Sequence, residues 1–319
     1  MGSTLVSAIR KNLIIPRTGR AYGRRIAVNQ IADNIFLLTS VVQQLNTVVI
    51  IDKDYLVVID PGFFPGEIAE IRKFLQPWET PSRTRLLALT HSHFDHIAGV
   101  PYFPEYAVLT SDAWDRGNER HAIRRLEQFD TEFYVDRPWE PGHLTPLTPQ
   151  YAVRHGQSLG PFLFLQTPGH THDSLSIVYE HVIGVGDYLS SLEFPFINAS
   201  LKDYRNSLAL IAGTVHQHSL TTLLSQHGPP AYGTEIPTRA ALARNYIEQM
   251  CEIVETAHHS GWSWEKTLSQ APDVLFQNRP IPLGLIPAHE RNLQTIWAEY
   301  AQEHTLSTRH PESGGSPGD

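Results

Sequence analysis

Residues 90 to 100 read THSHFDHIAGV and set His91, His93, Asp95 and His96 within six positions, directly behind the apolar run LLAL of residues 86 to 89. Imidazole and carboxylate at that density are what a metal centre needs, because both are ligands for transition-metal ions. Alternate residues of an extended segment face alike, so His91 and His93 can reach one side together. Asp95 and His96 follow a turn and point differently. The stretch can therefore serve two neighbouring ions while being too crowded to close either site alone, and further donors must come from elsewhere.

Three more candidates share one context, an apolar strand running into a glycine-containing loop. FLFLQTPGHTHDS supplies His170, VIGVGDYLS supplies Asp187 and TTLLSQHGPPAYG supplies His227. Singly, each also reads as turn chemistry, since His or Asp beside Gly is common in turns. Their order and shared context make them ligand candidates. His172, two residues after His170, is a candidate for a supporting role, and the remaining histidines, His121 and His289 among them, read as surface positions.

In this order HSHFDH, PGHT, GD and HGPP resemble the metal-binding signature of the metallo-β-lactamase-fold hydrolases, and VVIDPG, with Asp60, resembles the motif that precedes it. The resemblance spans about residues 35 to 235. It implies an α/β fold, a four-layer αββα sandwich with both sheets inside, helices outside and the metals at one edge of the sheets. It also implies that His91, His93 and His170 bind one ion, that Asp95, His96 and His227 bind a second, and that Asp187 bridges them. Asp60 then supports the ligand loops by hydrogen bonding, a role its Asp-Pro-Gly turn chemistry permits.

Two divalent ions roughly 3.5 to 4 Å apart lower the pKa of a shared water enough to make hydroxide available near neutrality. One ion can polarise the attacked carbonyl and the other stabilise the leaving oxygen or sulfur. Nitrogen and oxygen ligands suit zinc first, with iron or manganese also compatible. The implied function is a dinuclear metal-dependent hydrolase of a carboxylic ester, lactone or thioester. Two other readings of the same ligands are a mononuclear iron oxygenase like the persulfide dioxygenases and a catalytically idle, metal-stabilised interaction module. Asp95 and Tyr188 are the candidate catalytic residues, Asp95 through the second ion and Tyr188 as a substrate-facing hydroxyl beside the bridging Asp187. Phe194 and Phe196 after it, with Tyr134 and Trp139 in FDTEFYVDRPWEPGHL, either line an acyl pocket or pack loops.

The elements that must hold these residues are legible as short runs rich in Val, Ile and Leu: residues 35–39, 47–51, 55–60, 85–90, 162–167, 174–179 and 182–186 read as strands. EIAEIRKFL places Ile68, Ile71 and Leu75 on one helical face, and residues 203–218 do the same with Tyr204, Leu208, Ile211 and Val215. These mark a catalytic domain over residues 35–236. Strand signals then stop, and residues 237–306 read as a helical region. In position and character it resembles the C-terminal helices of glyoxalase II, although no glutathione-binding Cys-Gly-Arg stretch follows Asp187; lactonases of the same fold compare equally well. Residues 1–34 read as a basic extension and residues 307–319, ending HPESGGSPGD, as a disordered tail.

Composition limits the partners. Six basic residues, Arg10, Lys11, Arg17, Arg20, Arg24 and Arg25, precede the first acid, Asp33, and without them the chain carries 19 basic against 33 acidic side chains. So acidic a body lacks the cationic footprint of a nucleic-acid binder, and a small-molecule acyl substrate is expected instead. No apolar run approaches the ~20 residues of a membrane span. The expected compartment is the cytoplasm, with organellar import through the basic start left open, and the oligomeric state is open too. The single cysteine, Cys251, allows no intrachain disulfide and reads as a buried thiol.

Overall fold

The computed structural model describes residues 26 to 140 and 142 to 309. The six basic residues of the N-terminal stretch and the HPESGGSPGD tail lie outside the described residues.

Strands β1 (Ile26–Ala32), β2 (Ile35–Ser40), β3 (Asn46–Ile51) and β4 (Tyr55–Ile59) form an antiparallel meander. Helix α1 (Pro65–Leu75) then leads to β5 (Thr84–Ala88), which joins β4 in parallel. A single helical turn, α2 (Phe94–Ile97), precedes β6 (Ala107–Ser111), and helix α3 (Arg116–Phe133) precedes β7 (Tyr151–Val153); both strands extend the sheet in parallel. This first sheet has seven strands in sequence order.

The second sheet has six strands, β8 (Ser158–Leu159), β9 (Phe162–Gln166), β10 (Leu175–Tyr179), β11 (Val182–Gly184), β12 (Thr222–Leu224) and β13 (Ala231–Tyr232), again in sequence order across the sheet. Its one parallel pair, β11 with β12, is connected through helix α4 (Leu201–Gln217), as a parallel pairing requires. Helices α5 (Glu235–His259) and α6 (Trp264–Leu268), the small hairpin β14 (Leu275–Phe276) and β15 (Arg279–Pro280), and helix α7 (Ile286–Arg309) complete the described chain.

The layers follow from strands buried on both faces. In β2, Ile35 and Leu37 point between the sheets, where they join Val48, Ile50 and Val57 and meet Phe164 and Ile177 of the second sheet. Phe36 and Leu38 point the other way, onto Ile68, Ile71 and Leu75 of α1. On the far side Val178 and Ile183 of the second sheet pack under Leu208 and Ile211 of α4, Tyr246, Met250 and Val254 of α5, and Leu293 and Ile296 of α7. The αββα sandwich with its helical C-terminal region is the expected architecture.

Several elements were not anticipated, among them strands β6, β7, β8 and β13 and the β14–β15 hairpin. Residues 26–32, inside the stretch read as an extension, form the edge strand of the first sheet, and α7 continues past residue 306 to Arg309. Helix α3 covers a charged stretch, RGNERHAIRRLEQFDTEF, whose buried apolar positions are only Ala122 and Leu126. Its start is set by Asp115, whose side chain accepts hydrogen bonds from the Gly117 and Asn118 amides. Among the described residues no helix is long and apolar enough to cross a membrane.

Candidate metal centre

Five strand ends carry the site: Asp60 follows β4, His91 to His96 follow β5, His170 follows β9, Asp187 follows β11 and His227 follows β12. The structure brings all seven expected ligand side chains into one cluster. His91 Nε2 lies 3.0 Å from His93 Nδ1, and His170 Nε2 lies 3.2 and 3.1 Å from these two atoms. Asp187 Oδ2 stands 3.2 Å from His170 Nε2 and 3.6 Å from His91 Nε2. Its other oxygen, Oδ1, stands 3.4 Å from His96 Nε2 and 3.7 Å from His227 Nε2, and Asp95 Oδ2 is 3.7 and 3.5 Å from those nitrogens.

Whether these groups suit a cation can be judged from the far side of each ring. His96 Nδ1 donates to Asp60 Oδ2 at 2.8 Å, His170 Nδ1 to the Phe196 carbonyl at 2.9 Å and His227 Nδ1 to the Gln43 carbonyl at 3.1 Å. The Thr90 hydroxyl spends its proton on Asp60 Oδ2, so at its 3.0 Å contact with His91 Nδ1 it accepts. In its neutral form each of these four rings therefore turns a bare Nε2 inward, with its other nitrogen anchored, which is how metal-ligating histidines are held. Two of the inward atoms, His96 Nε2 and Asp187 Oδ1, are buried with no hydrogen-bond partner among the described residues. Such atoms are costly unless a cation meets them. His91, His93, His170 and Asp187 form one group, and Asp95, His96 and His227 another, that could each hold a metal ion.

Electrostatics agree with a site built around positive charge. Burial opposes ionisation of Asp187, but the rings of His96, His91 and His227 outweigh it and hold the carboxyl well below its ordinary range. Asp95, buried beside His96 and His227, is likewise brought down to about 2. Burial lowers the His93 ring to about 3, with His170 adding to the effect, and lowers His91 as well. His227 is buried too, yet Asp187 and Glu193 carry it up to about 10; burial also opposes protonation of His96, but Asp187, Asp95 and Asp60 outweigh it and raise that ring above its ordinary value.

The loops are shaped locally. Asp60 adopts φ +49°, in the left-handed region that Asp tolerates better than most residues, and in that pose it receives Thr90 N at 2.9 Å and Thr90 Oγ1 at 2.6 Å as well as His96. Gly169, at φ +124°, lies so close to Tyr204 that a Cβ there would collide with the Tyr204 backbone nitrogen. Asn46 ties the first sheet to the His227 loop, donating through Nδ2 to the Ser225 and Gly228 carbonyls.

Tyr188 is placed differently from the expectation. It is only 1% exposed; its hydroxyl donates to the Pro168 carbonyl at 2.8 Å and accepts from His170 N at 3.1 Å. A buried phenol finds partners in the backbone, and here it grips the His170 loop instead of facing substrate. Of the aromatic candidates only Phe196 lines the cleft; Phe194 is buried against Tyr246, Trp139 packs on Tyr102, and Tyr134 is 92% exposed. His289, read as a surface residue, is buried between Tyr246 and Ala271.

A cleft of about 670 Å³ opens over the cluster and includes His93, Asp95, Asp187 and His227. His121, His172, Arg125 and Arg291 also line it, as does Glu193. Glu193 was missed by sequence reasoning because nothing about one Glu in a loop marks it. Burial and the nearby carboxylates raise its carboxyl to about 7 despite His227, whose Nδ1 is 4.0 Å away.

With this geometry in hand, the comparisons with known proteins are specific. The metallo-beta-lactamase superfamily model matches residues 41–225. The chain is similar to the acyl-coenzyme A thioesterase MBLAC2 of Gallus gallus, at 30% identity over 223 residues covering 62% of this chain and 77% of that protein. It is also similar to a probable metallo-hydrolase, MJ0888, of Methanocaldococcus jannaschii, at 24% identity over 146 residues covering 45% of this chain and 69% of that one. Among solved structures, a metallo-beta-lactamase from Pontibacter korlensis superposes with TM-score 0.49 at 15% identity, covering 69% of this chain and 99% of its own.

Proposed function

The chain belongs to the metallo-beta-lactamase superfamily and is a metal-dependent hydrolase; from that premise we propose that it uses two divalent ions, zinc first, to hydrolyse the acyl bond of a small-molecule thioester, ester or lactone. The observation that carries the reading is Asp187, which offers Oδ2 to the first group of rings and Oδ1 to the second. A carboxylate shared in this way suits a pair of ions. The thioester stands first because the relative from Gallus gallus is named a thioesterase.

Bound ions lower the pKa of water and polarise an acyl carbonyl. The residues supply the rest. His91, His93 and His170 hold one position, Asp95, His96 and His227 the other, and Asp60 keeps His96 turned inward. Phe94, Phe196, Leu285 and Ala288 give the cleft an apolar wall for the uncharged part of an acyl group. In the reaction the water oxygen bonds to the carbonyl carbon, the carbon to sulfur or oxygen bond breaks, and one proton leaves with the thiol or alcohol and one with the acid.

The test is a substrate panel on the purified chain with its metal content measured. It comprises an acyl-coenzyme A, a glutathione thioester, aryl esters, simple and acyl-homoserine lactones, a phosphodiester, a β-lactam, and a persulfide with oxygen monitored, each with and without chelator. The expected result is chelator-sensitive hydrolysis of a thioester, ester or lactone. Turnover of the phosphodiester alone, or of the persulfide alone with oxygen consumed, overturns the proposal.

A further inference from the structure

Helix α3 lines the cleft through Asn118, His121, Ala122 and Arg125, and residues three, four and seven apart share one helical face. The part of α3 that lines the cleft carries no carboxylate: Glu127 and Asp130 stand on other faces of the helix, and Glu132, two turns beyond Arg125, is not part of the lining. Helix α7 reaches the cleft with Ala288 and Arg291. Both guanidinium groups are exposed, and neither has an ion pair or hydrogen bond among the described residues. Arg125 only lies over the Phe94 ring, 5.8 Å from its centroid. Elsewhere Arg72, Arg137 and Arg239 each bond a carboxylate, while Arg120, Arg124 and Arg279 are exposed and unpaired like the two cleft arginines, so what sets Arg125 and Arg291 apart is their place in the wall of the cleft.

The acids of the cleft, Asp95, Asp187 and Glu193, belong to the ligand cluster or adjoin it. The walls therefore present two cations that the protein does not neutralise, in a chain whose net charge is −8. Concave, low-dielectric surroundings focus such a field, and the planar guanidinium fork matches carboxylate and phosphate geometry.

We infer that the acyl substrate carries an anionic group, a carboxylate or a phosphate, remote from the scissile carbonyl, and that Arg125 and Arg291 hold it. The inference rests on the acyl-hydrolase reading and narrows its substrate class. The two sources of the anion differ in place: a phosphate belongs to the leaving group of a coenzyme A thioester, a carboxylate to the acyl part of a dicarboxylic half-thioester.

Three thioesters separate them: butyryl-coenzyme A, S-succinyl-N-acetylcysteamine and the neutral S-butyryl-N-acetylcysteamine. Wild type is compared with R125Q, R291Q and the double variant, all metal-loaded, at low and high salt. One anionic substrate should exceed the neutral one by about tenfold or more in kcat/KM at low salt, and salt should erode that advantage. The double variant should lose the advantage through KM while handling the neutral thioester as wild type does, which also shows that its fold is intact. Calorimetric titration with coenzyme A and with succinate reads binding independently of turnover, and the favoured probe should bind wild type and fail to bind the double variant. If the neutral thioester is turned over and neither anion gains an advantage, the inference falls while the hydrolase reading stands. If no thioester is turned over, the acyl reading loses its leading case and the titrations decide the anion site: equal binding by wild type and double variant, or none by either, overturns it.

Discussion

The side-chain amide of Asn292 grips the backbone on both sides of Phe196. Its Oδ1 accepts from Ile197 N at 2.7 Å and its Nδ2 donates to the Pro195 carbonyl at 2.5 Å. The carbonyl between these anchors, that of Phe196, receives the Nδ1 proton of His170. A residue of the C-terminal helix α7 thus fixes the acceptor that orients a candidate ligand in the loop after β9.

Asn292→Ala should therefore weaken metal retention as well as stability. It strands a buried amide and carbonyl, each costing about 1 to 3 kcal/mol, and loosens the His170 ring, for which a loss of about tenfold in metal affinity is expected. Denaturant melts of the chelator-stripped protein and chelator competition on the loaded one measure the two effects separately. A variant that melts early yet competes for metal like wild type would confine Asn292 to stability.

Asp60→Asn isolates an outer hydrogen bond without disturbing the backbone, because Asn also tolerates the positive φ found there. Both Asp60 oxygens are in use, receiving Thr90 N, Thr90 Oγ1 and His96 Nδ1. The amide sets an N–H against donors that had a lone pair to meet. Metal affinity is expected to fall about 10- to 100-fold with the circular dichroism spectrum retained. Wild-type affinity in this variant would show that the Asp60 to His96 contact does not orient the ligand.

His289 predicts a pH effect independent of any metal. Its Nδ1 accepts from the Tyr246 hydroxyl at 2.7 Å, because that hydroxyl already accepts from Asn292 Nδ2, and its Nε2 donates to the Ala271 carbonyl at 2.8 Å. The neutral ring is fully satisfied, and burial lowers its pKa from 6.5. As pH falls the unfolded chain takes up this proton first, so the stabilisation is complete above 6.5 and is lost as pH falls through the lower folded value. Between about pH 7 and pH 5, wild type should lose more stability than His289→Gln, the two sharing every other titrating group. Parallel denaturation curves across that range would refute it.

Much of this was legible in the sequence where a signal is local. Strand runs announce themselves because both faces are buried, so Val, Ile and Leu run nearly unbroken, as in residues 47–51. The ligand motifs announce themselves because donors cluster at strand ends. Helix α3 was not read from the sequence although Ala122, Leu126 and Phe129 recur at helical spacing, because charged residues dominate the rest of the stretch. The roles of Tyr188, Asn292 and His289 were illegible for another reason: each acts on backbone 18 or more positions away, a relationship created only when the loops pack. Arg125 and Arg291 were ordinary surface cations until α3 and α7 were placed at one cleft.

The last prediction concerns the metal count. Because Asp187 divides its oxygens between two groups of rings, a gently purified chain should hold about two transition-metal ions, read by elemental analysis against protein concentration. His170→Ala and His227→Ala should each lose mainly one ion, and from different groups, so that the residual ion of one variant should tolerate loss of the other group's ligands. Asp187→Ala, which removes a ligand from both groups, should impair both. Retention of the full metal content by a His91→Ala, His170→Ala double variant would sink the assignment of the first group. A single iron per chain in wild type, lost from His91→Ala but unaffected by His227→Ala, would instead leave the second group without an ion and return the mononuclear reading to first place.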